Sequence, residues 1–168
     1  MTNNDILRRL RYTFNLNDKK MIAIFALGDC KASQEQITGW LKKEELEGYV
    51  RCDDDSMNAF LDGFIIEQRG PREEPEASDK SAKNTKSAVD PWKKAHARIN
   101  NNIILRKLKI ALNLRSEDIL KLLELAGFKL GKSELSAFFR NPGHRHYREC
   151  QDQVLRNFLQ GVQKKYRS

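Results

Sequence analysis

The chain has 168 residues, of which 39% are hydrophobic and 32% are charged, and its net charge is +8. This composition supplies enough apolar material for a core and excludes a wholly disordered chain, while the basic excess permits a polyanionic partner without requiring one. No apolar run reaches the ~18 residues that a membrane helix needs, and the opening segment MTNNDILRRLRYTF lacks the apolar core of a signal peptide.

The first 68 residues carry the pattern of four helices. Ile6, Leu7 and Leu10 recur at helical spacing and form one apolar stripe. Asn15 is suited to end that helix, because Asn tolerates the left-handed turn conformation. Ser33, followed three residues later by Gln36, fits a capping box at the start of the third helix. The four predicted helices span 3–15, 18–28, 34–43 and 53–67.

Residues 69–98 follow the fourth helix and differ in composition. They contain three prolines and are dense in Lys, Glu, Ser and Asp, as in GPREEPEASDKSAKNTKSAVDP. Such a segment lacks the apolar residues that would order it, so we predict a flexible charged linker. Near its end, Trp92 is expected either to dock on a neighbouring part of the protein or to cover the start of the second repeat, and a specific ligand role is less favoured.

Residues 99–168 repeat the first segment. Residues 4–63 align with 102–161 at a constant offset of 98, without a gap and with fifteen identities. Because the two copies of a duplication share one fold, we predict an all-α protein of two tandem homologous four-helix domains, 1–68 and 99–168. In the second copy, the later helices are predicted over 116–126, 132–140 and 150–165.

The patterns NDILRRLRYTFNL, WLKKEE and FLDGFIIEQRG, taken together, resemble an uncharacterised bacterial duplicated-domain family, domain of unknown function 1456. The resemblance covers both copies and leaves out only the linker. It implies a duplicated helical layout. It implies no activity, catalytic residue or cofactor, so function must be inferred from the residues themselves.

Charge divides unevenly between the two copies. Residues 1–68 have a net charge of −3, the linker has +3, and residues 99–168 have +8. The second copy is therefore the candidate contact surface for a polyanion, since Lys and Arg neutralise phosphates and Tyr147 offers a ring for stacking on a base. The candidate nucleic-acid-binding residues are Arg106, Lys107, Lys109, Lys132, Arg140, His144, Arg145, His146, Tyr147 and Arg148. The alternative interpretation is a solvated basic surface or pairing with the acidic first copy.

The second and third helices of the second copy also suit a helix-turn-helix comparison. The segment LLELAGFKLGKSELSAFFRN contains a helix, a turn with Gly127 and a second helix beginning near Lys132. Such helix pairs are common in small bundles, so specific DNA readout is the less favoured interpretation.

Other chemistry finds little support. His144, His146 and Cys150 offer three zinc-type ligands, but no second pair follows at the usual spacing, so we predict no metal. The consecutive carboxylates of 53–55 are typical of a helix start. No nucleophile elbow, phosphate loop or zinc-protease motif is present, and we predict neither an enzyme nor a cofactor.

The three cysteines have no CxxC pair and no disulfide-framework spacing. Cys30, Cys52 and Cys150 make an odd number, and they are widely separated along the chain. We therefore predict a soluble cytoplasmic protein with reduced thiols.

Two functional hypotheses follow. The first is a non-enzymatic nucleic-acid-associated protein, binding RNA in preference to a specific DNA sequence through the basic second copy. The alternative is a protein-interaction adaptor that uses apolar positions outside the core stripe, such as Ile103 and Ile110. The same isoleucines are also suited to forming a dimer or to packing one copy on the other, and packing of the copies is the simplest expectation.

Overall fold

The computed structural model describes residues 2–69, 99–141 and 143–167, and within these residues it contains eight α-helices and no strand. The first repeat comprises α1 (Asn3–Thr13), α2 (Asp18–Leu27), α3 (Gln34–Leu41) and α4 (Asp54–Arg69). The second comprises α5 (Asn101–Ala111), α6 (Ser116–Leu125), α7 (Lys132–Phe138) and α8 (Asp152–Arg167). The predicted all-α fold with two four-helix repeats is confirmed.

Local signals set the ends of several helices. The Ser33 hydroxyl accepts a hydrogen bond from the Gln36 amide at 3.2 Å, and the Gln36 side chain accepts one from the Ser33 amide at 2.9 Å, so the predicted capping box is present. Asn15 and its copy Asn113 have φ of 52° and 54°. These left-handed residues break the helical geometry, which is why α1 ends at Thr13 and not at the predicted residue 15.

The core of each repeat forms where the last two helices of the bundle meet the first two. Ile6, Leu7 and Leu10, the predicted stripe of α1, are all 1% exposed or less. An aromatic cluster fills the first repeat, with the ring centroid of Phe25 lying 5.0 Å from that of Trp40 and 5.2 Å from that of Phe60. These buried rings account for the close contact of α2, α3 and α4.

The two repeats pack against each other. Helix α4 lies against α5 and helix α1 lies against α8, so the first helix of each repeat contacts the last helix of the other. Phe14 joins the repeats, because its ring centroid is 5.2 Å from Phe64 and 5.3 Å from Tyr166. Ile103 is 8% exposed and Ile110 is half-buried on α5, the helix that lies against α4 of the first repeat.

The predicted linker lies outside the described residues, apart from Arg69 at the end of α4, and so does Trp92. No helix in the described parts of the chain combines the length and the apolar character that crossing a membrane requires.

The run of carboxylates before α4 acts at the helix start, as predicted. The Asp53 carboxylate accepts a hydrogen bond from the Ser56 amide at 2.7 Å. The Ser56 hydroxyl, and after it this amide, lowers the pKa of Asp53. The aligned residue of the second repeat, Gln151, makes no such side-chain bond within the described chain.

Replacing this cap should destabilise the protein. We expect Asp53→Ala to lower the free energy of unfolding by about 1 kcal/mol at neutral pH, and Gln151→Ala to leave it unchanged. Because the pKa of Asp53 is lowered in the folded state, its contribution is present above the ordinary pKa near 4 and is lost as the pH falls through the lowered value. Urea denaturation of both variants across pH 2–7 measures this, and an equal loss in the two variants would contradict it.

Candidate nucleic-acid interface

The segment between α7 and α8 runs from 139 to 151, and its basic part, described over 139–141 and 143–149 and called the basic loop, is held by a buried asparagine of α5. Asn102 is 1% exposed, and its amide nitrogen donates to the carbonyls of Phe138 at 3.0 Å and Arg148 at 2.8 Å. Its side-chain oxygen accepts from the Cys150 amide at 2.8 Å. The Arg148 amide in turn donates to the Ala137 carbonyl at 3.2 Å. Both ends of this basic loop are therefore fixed to the bundle.

Most of the predicted site residues in the basic loop are exposed. The Arg145 side chain donates through Nε to Nε2 of His146 at 3.3 Å, and the His146 amide donates to Nδ1 of His144 at 3.0 Å. The two imidazole centroids lie 5.4 Å apart. Internal bonds thus shape a short segment that presents its cations to solvent; Arg140, His144, Arg145, His146 and Arg148 are all exposed.

Tyr147 differs from its neighbours because it is half-buried. Burial, together with the nearby Glu149 carboxylate, raises the pKa of its hydroxyl. The ring is therefore engaged with the protein, and it presents less surface for stacking on a base than the sequence predicted.

A groove separates the basic loop from α7. Its volume is about 340 Å³, and the residues that line it are Ser133, Glu134, Ala137, Arg140, His146 and Arg148. Lys132 is exposed at the start of α7. In the described ranges, the side chains of Lys132, Arg140, Arg145 and Arg148 form no ion pair, so their charges are available to a polyanion.

The predicted cations of α5 have different surroundings. The Lys107 ammonium lies 2.6 Å from an oxygen of Asp62 and 3.1 Å from the side-chain oxygen of Asn58, both on α4. Lys107 is therefore part of the contact between the repeats. Because its charge is matched by Asp62, it does not add to the free positive charge of the basic loop. Lys109 lies beside the loop, with its ammonium 5.4 Å from the ring centroid of Phe139, and Arg106 is half-buried.

The comparisons with known proteins agree with this duplicated architecture. The family described as "Protein of unknown function (DUF1456)" matches residues 3–70 and again residues 101–168. The chain belongs to this family. A relative, "Uncharacterized protein YehS" of Escherichia coli (strain K12), is 43% identical over 162 residues, which cover 96% of this chain and 94% of the relative. No solved structure matches the chain.

The two DUF1456 repeats use the same loop frame for different surfaces. In the first repeat, Asn4 bonds to the Trp40 carbonyl, the Val50 carbonyl and the Cys52 amide, as Asn102 does in the second. Residues 34–51 contain three basic residues and four glutamates. The aligned residues 132–149 contain four basic residues and two glutamates. Since one backbone accommodates both, the fold does not require the basic character of the second loop.

The zinc-type ligands of this DUF1456 chain are not assembled into a site. Cys150 is 4% exposed, and burial raises the pKa of its thiol to about 12, whereas His144 and His146 are exposed. A protonated buried thiol is a poor metal ligand. Among the described residues, no group of three or more His, Cys, Asp and Glu side chains is placed to hold a metal ion.

The helix-turn-helix comparison also weakens in the three-dimensional structure. Helix α7 has seven residues, and the segment between α6 and α7 runs from 126 to 131. The turn of the DNA-binding motif has three or four residues and its second helix must reach along the major groove. The longer connection and the two-turn helix make base readout by α7 unfavourable.

Proposed function

We propose that the second repeat binds nucleic acid through the phosphate backbone, with RNA preferred to a specific DNA sequence. The observation that carries the proposal is the exposed and anchored basic loop, whose arginines have no ion-pair partner in the described chain. The corresponding segment of the first repeat has the same backbone anchor but a net negative charge. The proposed contacts are Lys132, Arg140, Arg145 and Arg148, with His144, His146 and Lys109 at the margin.

The proposed mechanism is charge neutralisation with counterion release, which is independent of base sequence. Guanidinium groups suit it because they bond phosphate oxygens in pairs. The short α7 supports contact with single strands or irregular RNA, where loops and ends are accessible, over insertion into a DNA major groove. We place this activity in the cytoplasm, in keeping with three free cysteines and the absence of a disulfide.

The test is the double charge reversal Arg145→Glu/Arg148→Glu. We expect its affinity for a short fluorescein-labelled single-stranded RNA to fall by about tenfold or more in an anisotropy titration. For the wild-type protein, a plot of the logarithm of the association constant against the logarithm of the salt concentration should have a slope of about −3 if four phosphates are neutralised. The variant should give a slope about half as steep.

Lys19→Glu/Lys43→Glu is the matched control, because it changes the net charge equally at exposed residues of the first repeat. It should retain most of the affinity. Equal RNA binding by wild type and the loop variant, with circular dichroism showing both folded, would overturn the proposal. Binding to a protein that persists at high salt would favour the adaptor alternative, although Ile103, one of its apolar positions, is only 8% exposed.

A further inference from the structure

The duplication creates two related seams between the repeats. In one, α5 lies against α4, and in the other, α1 lies against α8. The offset of 98 that aligns the repeats maps α5 onto α1 and α4 onto α8. The side chains of the two seams can therefore be compared position by position.

The α4–α5 seam is closed by an ion pair. Lys107 is 20% exposed in its side chain and contacts both Asp62 and Asn58. One ammonium is thus matched by one carboxylate and one amide oxygen, and the seam has no unbalanced charge at this point.

At the aligned positions, the α1–α8 seam carries two positive charges and no negative charge. Arg9 aligns with Lys107, Arg156 aligns with Asn58, and Gln160 aligns with Asp62. The cation is retained, a second cation replaces the neutral asparagine, and the carboxylate is lost. Instead of an ion pair, this seam holds an open cavity of about 430 Å³, lined by Asp5, Arg8, Arg9, Tyr12, Arg156 and Gln163.

The charges around this seam cavity leave a basic excess. Arg8 bonds to Asp5 and to the Lys42 carbonyl. The charge of Asp5, the one carboxylate that lines the cavity, is therefore neutralised by Arg8. Arg156 is close enough to Asp152 to help lower the pKa of that carboxyl, whose main stabilising contact is a hydrogen bond from Asn101. Arg9 is half-buried and, in the ranges that the structure describes, its side chain forms neither an ion pair nor a hydrogen bond.

A fourth guanidinium stands at the rim. Arg167, near the end of α8, lies with its Cζ 4.0 Å from the ring centroid of Tyr12 and donates to the Tyr12 carbonyl at 2.8 Å. Arginines presented from two helices can bond the oxygens of one phosphate from both sides. The cavity volume of about 430 Å³ lies within the range of ~300–1,000 Å³ that is usual for small-molecule sites.

We propose that the α1–α8 seam cavity binds a small phosphorylated anion, held by Arg9 and Arg156. The site is separate from the basic loop, and it exists only where the two repeats meet. Its ligand ties α1 to α8 in the way that Asp62 and Lys107 tie α4 to α5, so occupancy stabilises the packing of the repeats.

The test uses inorganic pyrophosphate as the probe and the full chain. We expect saturable shifts of the Arg9 and Arg156 Nε–Hε signals in ¹H–¹⁵N spectra, and a rise in Tm that sodium chloride at the same ionic strength does not reproduce. Arg9→Gln/Arg156→Gln should weaken the affinity by about tenfold or more. Arg51→Gln/Arg115→Gln, which removes two exposed arginines elsewhere, should bind normally.

A second variant keeps the proposal testable if the double substitution unfolds the protein. Gln160→Asp restores the carboxylate found at the aligned Asp62, so it should pair with Arg9, raise Tm in the absence of ligand and abolish pyrophosphate binding. Pyrophosphate binding that survives both variants, or shifts spread over all arginines, would overturn the site. RNA binding by the basic loop should persist in Arg9→Gln/Arg156→Gln, so the two proposals can fail independently.

Discussion

Gly161→Ala should cost about 3 kcal/mol in the free energy of unfolding and lower Tm by roughly 6–12 °C. A Cβ at this position would lie 1.9 Å from the Leu122 carbonyl oxygen, because α8 crosses α6 with its backbone in close contact. The aligned Gly63 has the same relation to the Ile24 carbonyl oxygen, at 1.8 Å, so Gly63→Ala should have an effect of the same size. Backbone atoms cannot move aside as a flexible side chain can, and the helices must separate.

Thermal and urea denaturation of the two glycine variants provide the measurement. Gly143→Ala is the control, since a Cβ there would meet only the Asn141 side-chain oxygen at 3.7 Å, an ordinary contact. If Gly161→Ala and Gly63→Ala unfold at the same denaturant concentration as Gly143→Ala, the close helix crossing described here is wrong.

Asn102→Ala should lower the free energy of unfolding by about 4 kcal/mol. It removes three hydrogen bonds at once and leaves the Phe138 carbonyl, the Arg148 carbonyl and the Cys150 amide without their partner. Buried backbone groups without partners carry the full cost of desolvation. The effect should extend to the proposed RNA binding, because the same bonds hold the basic loop.

Amide hydrogen exchange distinguishes this loosening from a global effect. In Asn102→Ala we expect the Cys150 amide to lose protection beyond the change in global stability, and RNA affinity to fall even at temperatures where the chain is folded. Asn157→Ala, which removes a bond within α8 only, is the matched control. Full retention of Cys150 protection in Asn102→Ala would show that the asparagine does not anchor the loop.

Much of the fold follows from local patterns. The stripe Ile6, Leu7 and Leu10 needs only helical periodicity to be recognised, and the Ser33 cap is formed by residues three apart. The duplication is visible because both copies preserve identities such as Asn4 and Asn102. Their purpose is not visible in the sequence, since each contacts backbone groups 36 to 48 residues away.

The candidate site was predicted only in part. The cations of the basic loop share a short, charged segment, and their exposure follows from that composition. Lys107 looked equivalent to them, but its charge is matched by Asp62, 45 residues earlier in the chain. No sequence pattern predicted that Arg9 and Arg156 line one cavity, because they are separated by most of the chain and lie in different repeats.

The sequence by itself therefore determined the duplication, the helices, their caps and the charge difference between the two copies, because these depend on neighbouring residues and on counting. Only the tertiary structure decided which charges are neutralised. A cation is compensated or available according to the helix that packs beside it. The crossed contacts of α4 with α5 and of α1 with α8 close one seam with an ion pair and leave arginines around a cavity in the other.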